Sequence, residues 1–133
     1  ILKKGNDITI LSIGKTVTKA IEIANQLKEN SIDVEVINVR FLKPLDKHTI
    51  EKSILKTKNV VTIEDGTIIN GLATSIKELI VEKSIKNVKI KEYAYPDEYI
   101  KHGTDKELEK IYKLDKDTIV NNIIDNFERE KDE

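Results

Sequence analysis

The stretch ITILSIGKTVTKAIEIANQLKENSIDVEVINV, Ile8–Val39, decides the fold. It opens with a short apolar run, Ile8–Ile13, that stops at Gly14, the pattern of a buried strand. Thr16 then offers an N-cap, and Val17, Ala20, Ile21, Ala24 and Leu27 recur at helical spacing as far as Asn30, a C-cap candidate. Val34–Val39 is a second apolar run. Strand, helix and strand in that order predict parallel strands joined by a right-handed crossover.

The alternation continues on the carboxyl side. Asp46 offers an N-cap to a helix carrying Ile50, Ile54 and Leu55, and Val60–Ile63 is a third strand ending in Glu64-Asp65-Gly66. A helix near residues 71–83 presents Leu72, Ile76, Leu79 and Ile80. In Val88–Ala94, Val88 and Ile90 alternate with lysines, as an edge or half-exposed strand would. Thr104 and Glu107 form a capping box, and Asp115 caps a last helix striped by Val120, Ile123, Ile124 and Phe127. Ile1-Leu2-Lys3 adds a short strand, and the Gly5-Asn6-Asp7 turn is too brief for a parallel crossover. The expected fold is therefore α/β, a three-layer α/β/α arrangement on a mostly parallel sheet of about five strands with one antiparallel edge strand. One domain is expected over residues 1–133, with a charged tail at 128–133 that frays.

Composition narrows the function. Apolar residues make up 38%, charged residues 35% and the net charge is −1 with both signs interspersed, which argues against nucleic-acid binding. No apolar run approaches the ~20 residues of a membrane span. The absence of cysteine removes disulfides, thiol nucleophiles and cysteine metal sites, and is compatible with a cytoplasmic protein. There is no methionine, and the first residues already read as a strand, so the chain is expected to be part of a longer protein.

In open parallel sheets, contacts that carry function gather at the carboxyl ends of the strands. Here that rim receives Gly14-Lys15-Thr16, Arg40 with Lys43, Pro44 and Asp46, the Glu64 segment, and Pro96, Asp97, His102 and Gly103. Gly14-Lys15-Thr16 is no phosphate loop, because Thr9 stands where that loop needs its first glycine. A phospho-receiver site would need acids after the first strand, where this chain has Gly, Lys and Thr. Two histidines, His48 and His102, are too few and too far apart for a zinc site, and His48 is expected to be exposed. Arg40 is one of only two arginines, and its planar donor set suits a structural clamp.

Three segments together resemble one family. VINVRFLKPLD (36–46), VVTIEDGTIINGLATS (60–75) and YPDEYIKHGTDKEL (95–108) are similar to the carboxy-terminal domain of 1-deoxy-D-xylulose-5-phosphate synthases. The first segment resembles transketolases and 2-oxo-acid dehydrogenase decarboxylase subunits as well, so the same domain of either, or a stand-alone binding or regulatory module, is the alternative. The chain departs from the synthase pattern at Gly66, Asn70, Ala73, Ala94 and Tyr95, while Gly71 keeps one glycine of the tight helix start. The resemblance implies a parent enzyme that uses thiamine diphosphate and Mg²⁺ to join a two-carbon unit from pyruvate to glyceraldehyde 3-phosphate, releasing CO2. That product feeds isoprenoid, thiamine and pyridoxal synthesis. It also implies that cofactor, metal and catalytic groups belong to the other two domains of a homodimeric parent. This chain would then bind no cofactor or metal and be inactive alone. Two readings of the rim stand side by side. Arg40, Asp46, Glu64, Asp97 and His102 face the rest of the enzyme or its dimer mate, or they serve as local caps and turn ties.

Overall fold

A computed structural model describes residues 1–14, 16–39, 46–67, 71–95, 110 and 114–131. Four strands and four helices lie among them: β1 (Ile8–Ser12), α1 (Thr16–Glu29), β2 (Val34–Asn38), α2 (Lys47–Thr57), β3 (Asn59–Thr67), α3 (Leu72–Glu82), β4 (Lys89–Tyr95) and α4 (Lys116–Lys131). The sheet order is β2-β1-β3-β4, and every pair is parallel. Ile10 stands opposite Val36 on one side and Val61 on the other, so β1 is central, and all five of its residues are buried. That is why its sequence is a near-continuous apolar run.

Side-chain alternation along each strand then separates two cores. Ile8, Ile10, Val34, Val36, Val61, Ile63 and Tyr93 pack beneath α1 and α4, against Ile23, Leu27, Ile119 and Ile123. Leu11, Ile37, Val39 and Val60 pack on the other face beneath α2 and α3, against Ile50, Ile54, Leu72, Ile76 and Leu79. Full burial of one such aliphatic side chain contributes roughly 1.5–3 kcal/mol. The three-layer expectation holds. The expected antiparallel strand at the amino terminus is reduced to a single bridge between Lys3 and Val36. Its limit is Gly5, which crosses β2 so closely that a Cβ there would lie 2.5 Å from the Val34 carbonyl oxygen.

Three helix ends use left-handed residues that are not glycine. At the end of α1, Ser31 has φ 62°, Ser31 N donates to Lys28 O, and Ile32 N donates to Leu27 O. At the end of α3, Ser84 has φ 52°, Ser84 N donates to Val81 O, and Ile85 N donates to Ile80 O. Both are Schellman closures followed by a buried isoleucine, and Asn30 occupies the C-cap position in the first. Lys58, at φ 60°, closes α2 with a single bond from its N–H to Ile54 O. At the far end of the chain, helix α4 continues into the charged segment through Lys131 instead of stopping before it. Among the described residues no helix is long and apolar enough to cross a membrane.

Candidate functional site at the carboxyl rim

The rim begins where β1 ends. Gly14 turns the chain at φ +68°, a value that disfavours side chains, and α1 starts two residues later. Thr16 does not act as the simple acceptor cap expected from the sequence. Its hydroxyl lies 2.8 Å from both Ile13 O and Ile63 O, and 2.7 Å from the Ser12 hydroxyl. A carbonyl only accepts, so the Thr16 proton goes to one of those oxygens and Ser12 donates to Thr16. These two buried hydroxyls tie the end of β1 to β3 across the rim.

At the end of β3 the strand runs further than its apolar run suggested. Glu64-Asp65-Gly66 is not a loop after the strand. It forms an irregular section of β3, where the register with β4 shifts between Ile63 and Thr67. Alternation puts Glu64 on the α3 side, where it is buried and its Oε1 accepts the Leu72 N–H at 2.7 Å. Gly71 is the N-cap of α3, has extended backbone and offers no side-chain cap. Glu64 therefore supplies from the sheet the negative charge and the acceptor that an N-terminal helix turn requires.

Asp46 is a local cap as well. It accepts the Thr49 N–H at 3.3 Å and the Thr49 hydroxyl at 2.9 Å, opening α2. Asp115 opens α4 in the same manner, through the Thr118 N–H at 3.2 Å and hydroxyl at 2.8 Å. Burial raises the Asp115 pKa, but the Thr118 bonds and nearby Lys110 outweigh it and hold the carboxyl below its ordinary value. His48 is exposed on α2, as expected. Arg40, Lys43, Pro44, Pro96, Asp97, His102 and Gly103 lie outside the described residues. Of the residues singled out from sequence, the structure thus places Asp46, Glu64 and Gly71, together with Gly14, Thr16, His48 and Asp115.

A second polar centre, not read from the sequence, lies at the opposite, amino end of the sheet. Buried Glu35 of β2 faces α2, where its carboxylate accepts from the Ser53 hydroxyl and the Lys56 ammonium, each at 2.5 Å, and from Gly5 N at 3.4 Å. Because the Ser53 proton goes to the carboxylate, Thr9 must donate to Ser53 at 2.7 Å, and Thr57 in turn to Thr9 at 2.8 Å. The chain of hydroxyls is directional and ends on a charge. Burial raises the Glu35 pKa, but Lys56, Ser53 and the Gly5 N–H together hold it below the ordinary value. The available signal was Glu35 and Thr9 themselves, polar residues inside buried strands.

Chemically, the described rim is occupied by structural ties. The Asp46 and Glu64 carboxylates cap helices, and the Ser12 hydroxyl is paired with Thr16, whose own hydroxyl is paired with a backbone carbonyl. Among the described residues no group of three His, Cys, Asp or Glu side chains gathers to hold a metal. Among the described rim residues, the buried carboxylate of Glu64 is turned onto the α3 backbone.

The architecture has close relatives. A solved structure described as a split gene transketolase, an inactive beta4 tetramer, superposes with a TM-score of 0.81 at 29% identity, over 90% of this chain and 39% of that one. A 2-oxoglutarate:ferredoxin oxidoreductase from Magnetococcus marinus shares the fold at a TM-score of 0.60 and 14% identity, over 93% of this chain and 18% of that one. In sequence, the chain is 37% identical over 120 residues to the 1-deoxy-D-xylulose-5-phosphate synthase of Halothermothrix orenii, covering 90% of this chain and 19% of that enzyme. It is 41% identical over 124 residues to the synthase of Dictyoglomus turgidum, covering 93% of this chain and 20% of the relative. The chain thus spans about a fifth of the length of these curated relatives. A family profile described as "Transketolase, C-terminal domain" matches residues 1–119, and the chain belongs to that family.

Proposed function

We propose that the chain is the carboxy-terminal domain of a thiamine-diphosphate-dependent 1-deoxy-D-xylulose-5-phosphate synthase. Its part in that enzyme is to pack against the two catalytic domains and to support the dimer. The observation that carries this reading is the match to such synthases along nine-tenths of the chain and only a fifth of theirs. The rim geometry supports it, since Glu64, Asp46, Ser12 and Thr16 hold the domain's own elements together. The reaction, condensation of pyruvate with glyceraldehyde 3-phosphate and loss of CO2, is then carried by groups elsewhere in the parent, as are thiamine diphosphate and Mg²⁺. Arg40, Asp97 and His102 are assigned to the seam with those domains.

The test is the chain by itself with thiamine diphosphate, Mg²⁺, pyruvate and glyceraldehyde 3-phosphate. No CO2 release is expected, whereas the parent enzyme turns over. Cofactor-dependent CO2 release by the isolated chain would sink the reading. Deleting this domain from the parent is expected to weaken the dimer in sedimentation velocity, and an unchanged, fully active dimer would remove its packing role. A transketolase parent is the second reading, favoured by the 29% identical transketolase structure. It is distinguished by transfer from a ketose phosphate donor in place of pyruvate.

A further inference from the structure

Beneath the last turns of α4 there is a groove of about 310 Å³, at the amino end of the sheet and away from the rim. Among the described residues it lies between α4, which packs alongside α1, and the first residues of β3 and β4. The floor is apolar: Val61 of β3, with Ile123 and Phe127 of α4, lines it. Two cations flank it, Lys91 from β4 and Arg129 from α4, and Lys89 of β4 also lines it. Strand alternation places Lys89 and Lys91 on the same face as Tyr93, and the Lys91 ammonium sits 5.9 Å above the Tyr93 ring. Among the described residues that line the groove there is no carboxylate.

An edge strand carries lysines for an ordinary reason, to discourage pairing with another sheet. That reason does not account for Arg129, which joins them from a helix across an apolar floor. A groove of this size reaches the lower limit of small-ligand pockets, and such pockets combine an apolar lining with a few charged groups that fix orientation. We propose that this groove binds a small amphipathic organic anion, a phosphate or carboxylate carried on a short hydrocarbon body. The hydrocarbon covers Val61 and Phe127, and the anionic head lies between Lys91 and Arg129. Because Asn59 and Lys89, which line it, are the first residues of β3 and β4, the occupant sits at the opposite end of the strands from the rim. It is therefore separate from the packing role proposed above.

Hexyl phosphate is the probe, titrated into the 133-residue chain and followed by amide shifts and calorimetry. One saturable site with a Kd of about 0.1 mM is expected, from the affinity that a ligand of that size attains in a preformed groove. Hexanoate is expected to bind the same amides more weakly, and neither 1-hexanol nor inorganic phosphate to saturate at the same concentrations. Lys91→Gln with Arg129→Gln, both exposed positions that leave the core intact, is expected to weaken hexyl phosphate about tenfold. The proposal is overturned if neither anion saturates a site, if 1-hexanol binds as well as hexyl phosphate, or if the double substitution leaves affinity unchanged. It is equally overturned if the groove is filled by a second copy of the chain. That would show as a dimer which the double substitution dissociates and hexyl phosphate does not enter.

Discussion

Glu64 shows how much one side chain does here. It leaves the sheet, enters the interior and ends on the Leu72 N–H, replacing the cap that Gly71 lacks. Glu64→Ala is expected to lower stability by about 2 kcal/mol in urea unfolding, since a buried donor loses its acceptor. Glu64→Gln keeps an acceptor and is expected to lose less. Glu35 and Tyr93 set opposite limbs of the pH dependence. The folded Glu35 pKa is lower than in the unfolded chain, so its stabilisation is complete above the ordinary value of 4.5 and is lost as pH falls below it. Tyr93 goes the other way. Burial pushes its hydroxyl up to about 12, against a partial offset from Asn122, whose amide stands short of hydrogen-bonding geometry. The unfolded chain releases that proton from pH 10 upward, so stability falls between 10 and 12. Unfolding midpoints measured across pH are expected to lose part of the acid slope in Glu35→Gln, the remainder coming from Asp115, and to have a shallower alkaline slope between pH 10 and 12 in Tyr93→Phe. At neutral pH, Tyr93→Phe is expected to cost nothing, because it removes a buried hydroxyl that has no partner. Asp46 and Asp115 were readable from sequence because an N-cap is a local event within four residues. The acceptor of the Leu72 N–H, eight residues away on another element, was not.

Helix ends follow the same division. The starts of α2 and α4 carry Asp caps whose partners lie three residues ahead, at Thr49 and Thr118, so sequence spacing reveals them. The ends of α1 and α3 carry no glycine, and the turn falls on Ser31 and Ser84. Both serines bear the steric cost of the left-handed region, roughly 1–2 kcal/mol for a side chain with a Cβ. Each is held there by the isoleucine that follows, since Ile32 and Ile85 are buried and draw the chain back onto the core. Ser31→Gly and Ser84→Gly are each expected to raise stability by about 0.5 kcal/mol, the relief of strain being offset in part by the freer unfolded chain. A fall in the urea midpoint on both substitutions would contradict this reading of the turns. The strand that was expected from Ile1-Leu2-Lys3 is shorter for an equally local reason. Gly5 presses on the β2 backbone and the chain then leaves the edge, so pairing ends with the Lys3 bridge.

Among the described residues, one parallel sheet separates two apolar layers, and each of the four helices belongs to one of them. Ile23 lies in the layer under α1 and Ile76 in the layer under α3, both without exposed surface. Ile23→Val and Ile76→Val are each expected to cost about 1 kcal/mol, and the double variant their sum, within about 0.5 kcal/mol. Far-ultraviolet circular dichroism and tyrosine fluorescence are expected to report a single transition, because the strands are common to both layers. Two separated transitions would mean that the layers fold independently. The sequence by itself determined the layered α/β architecture, the Asp caps and the family, because each rests on periodicity or on residues close along the chain. The tertiary structure alone decided the Glu35 hydroxyl chain, the Glu64 cap, the extent of β3 and the cationic groove under α4. Each of these joins residues from different elements, and only strand order and helix placement bring such residues within reach of one another.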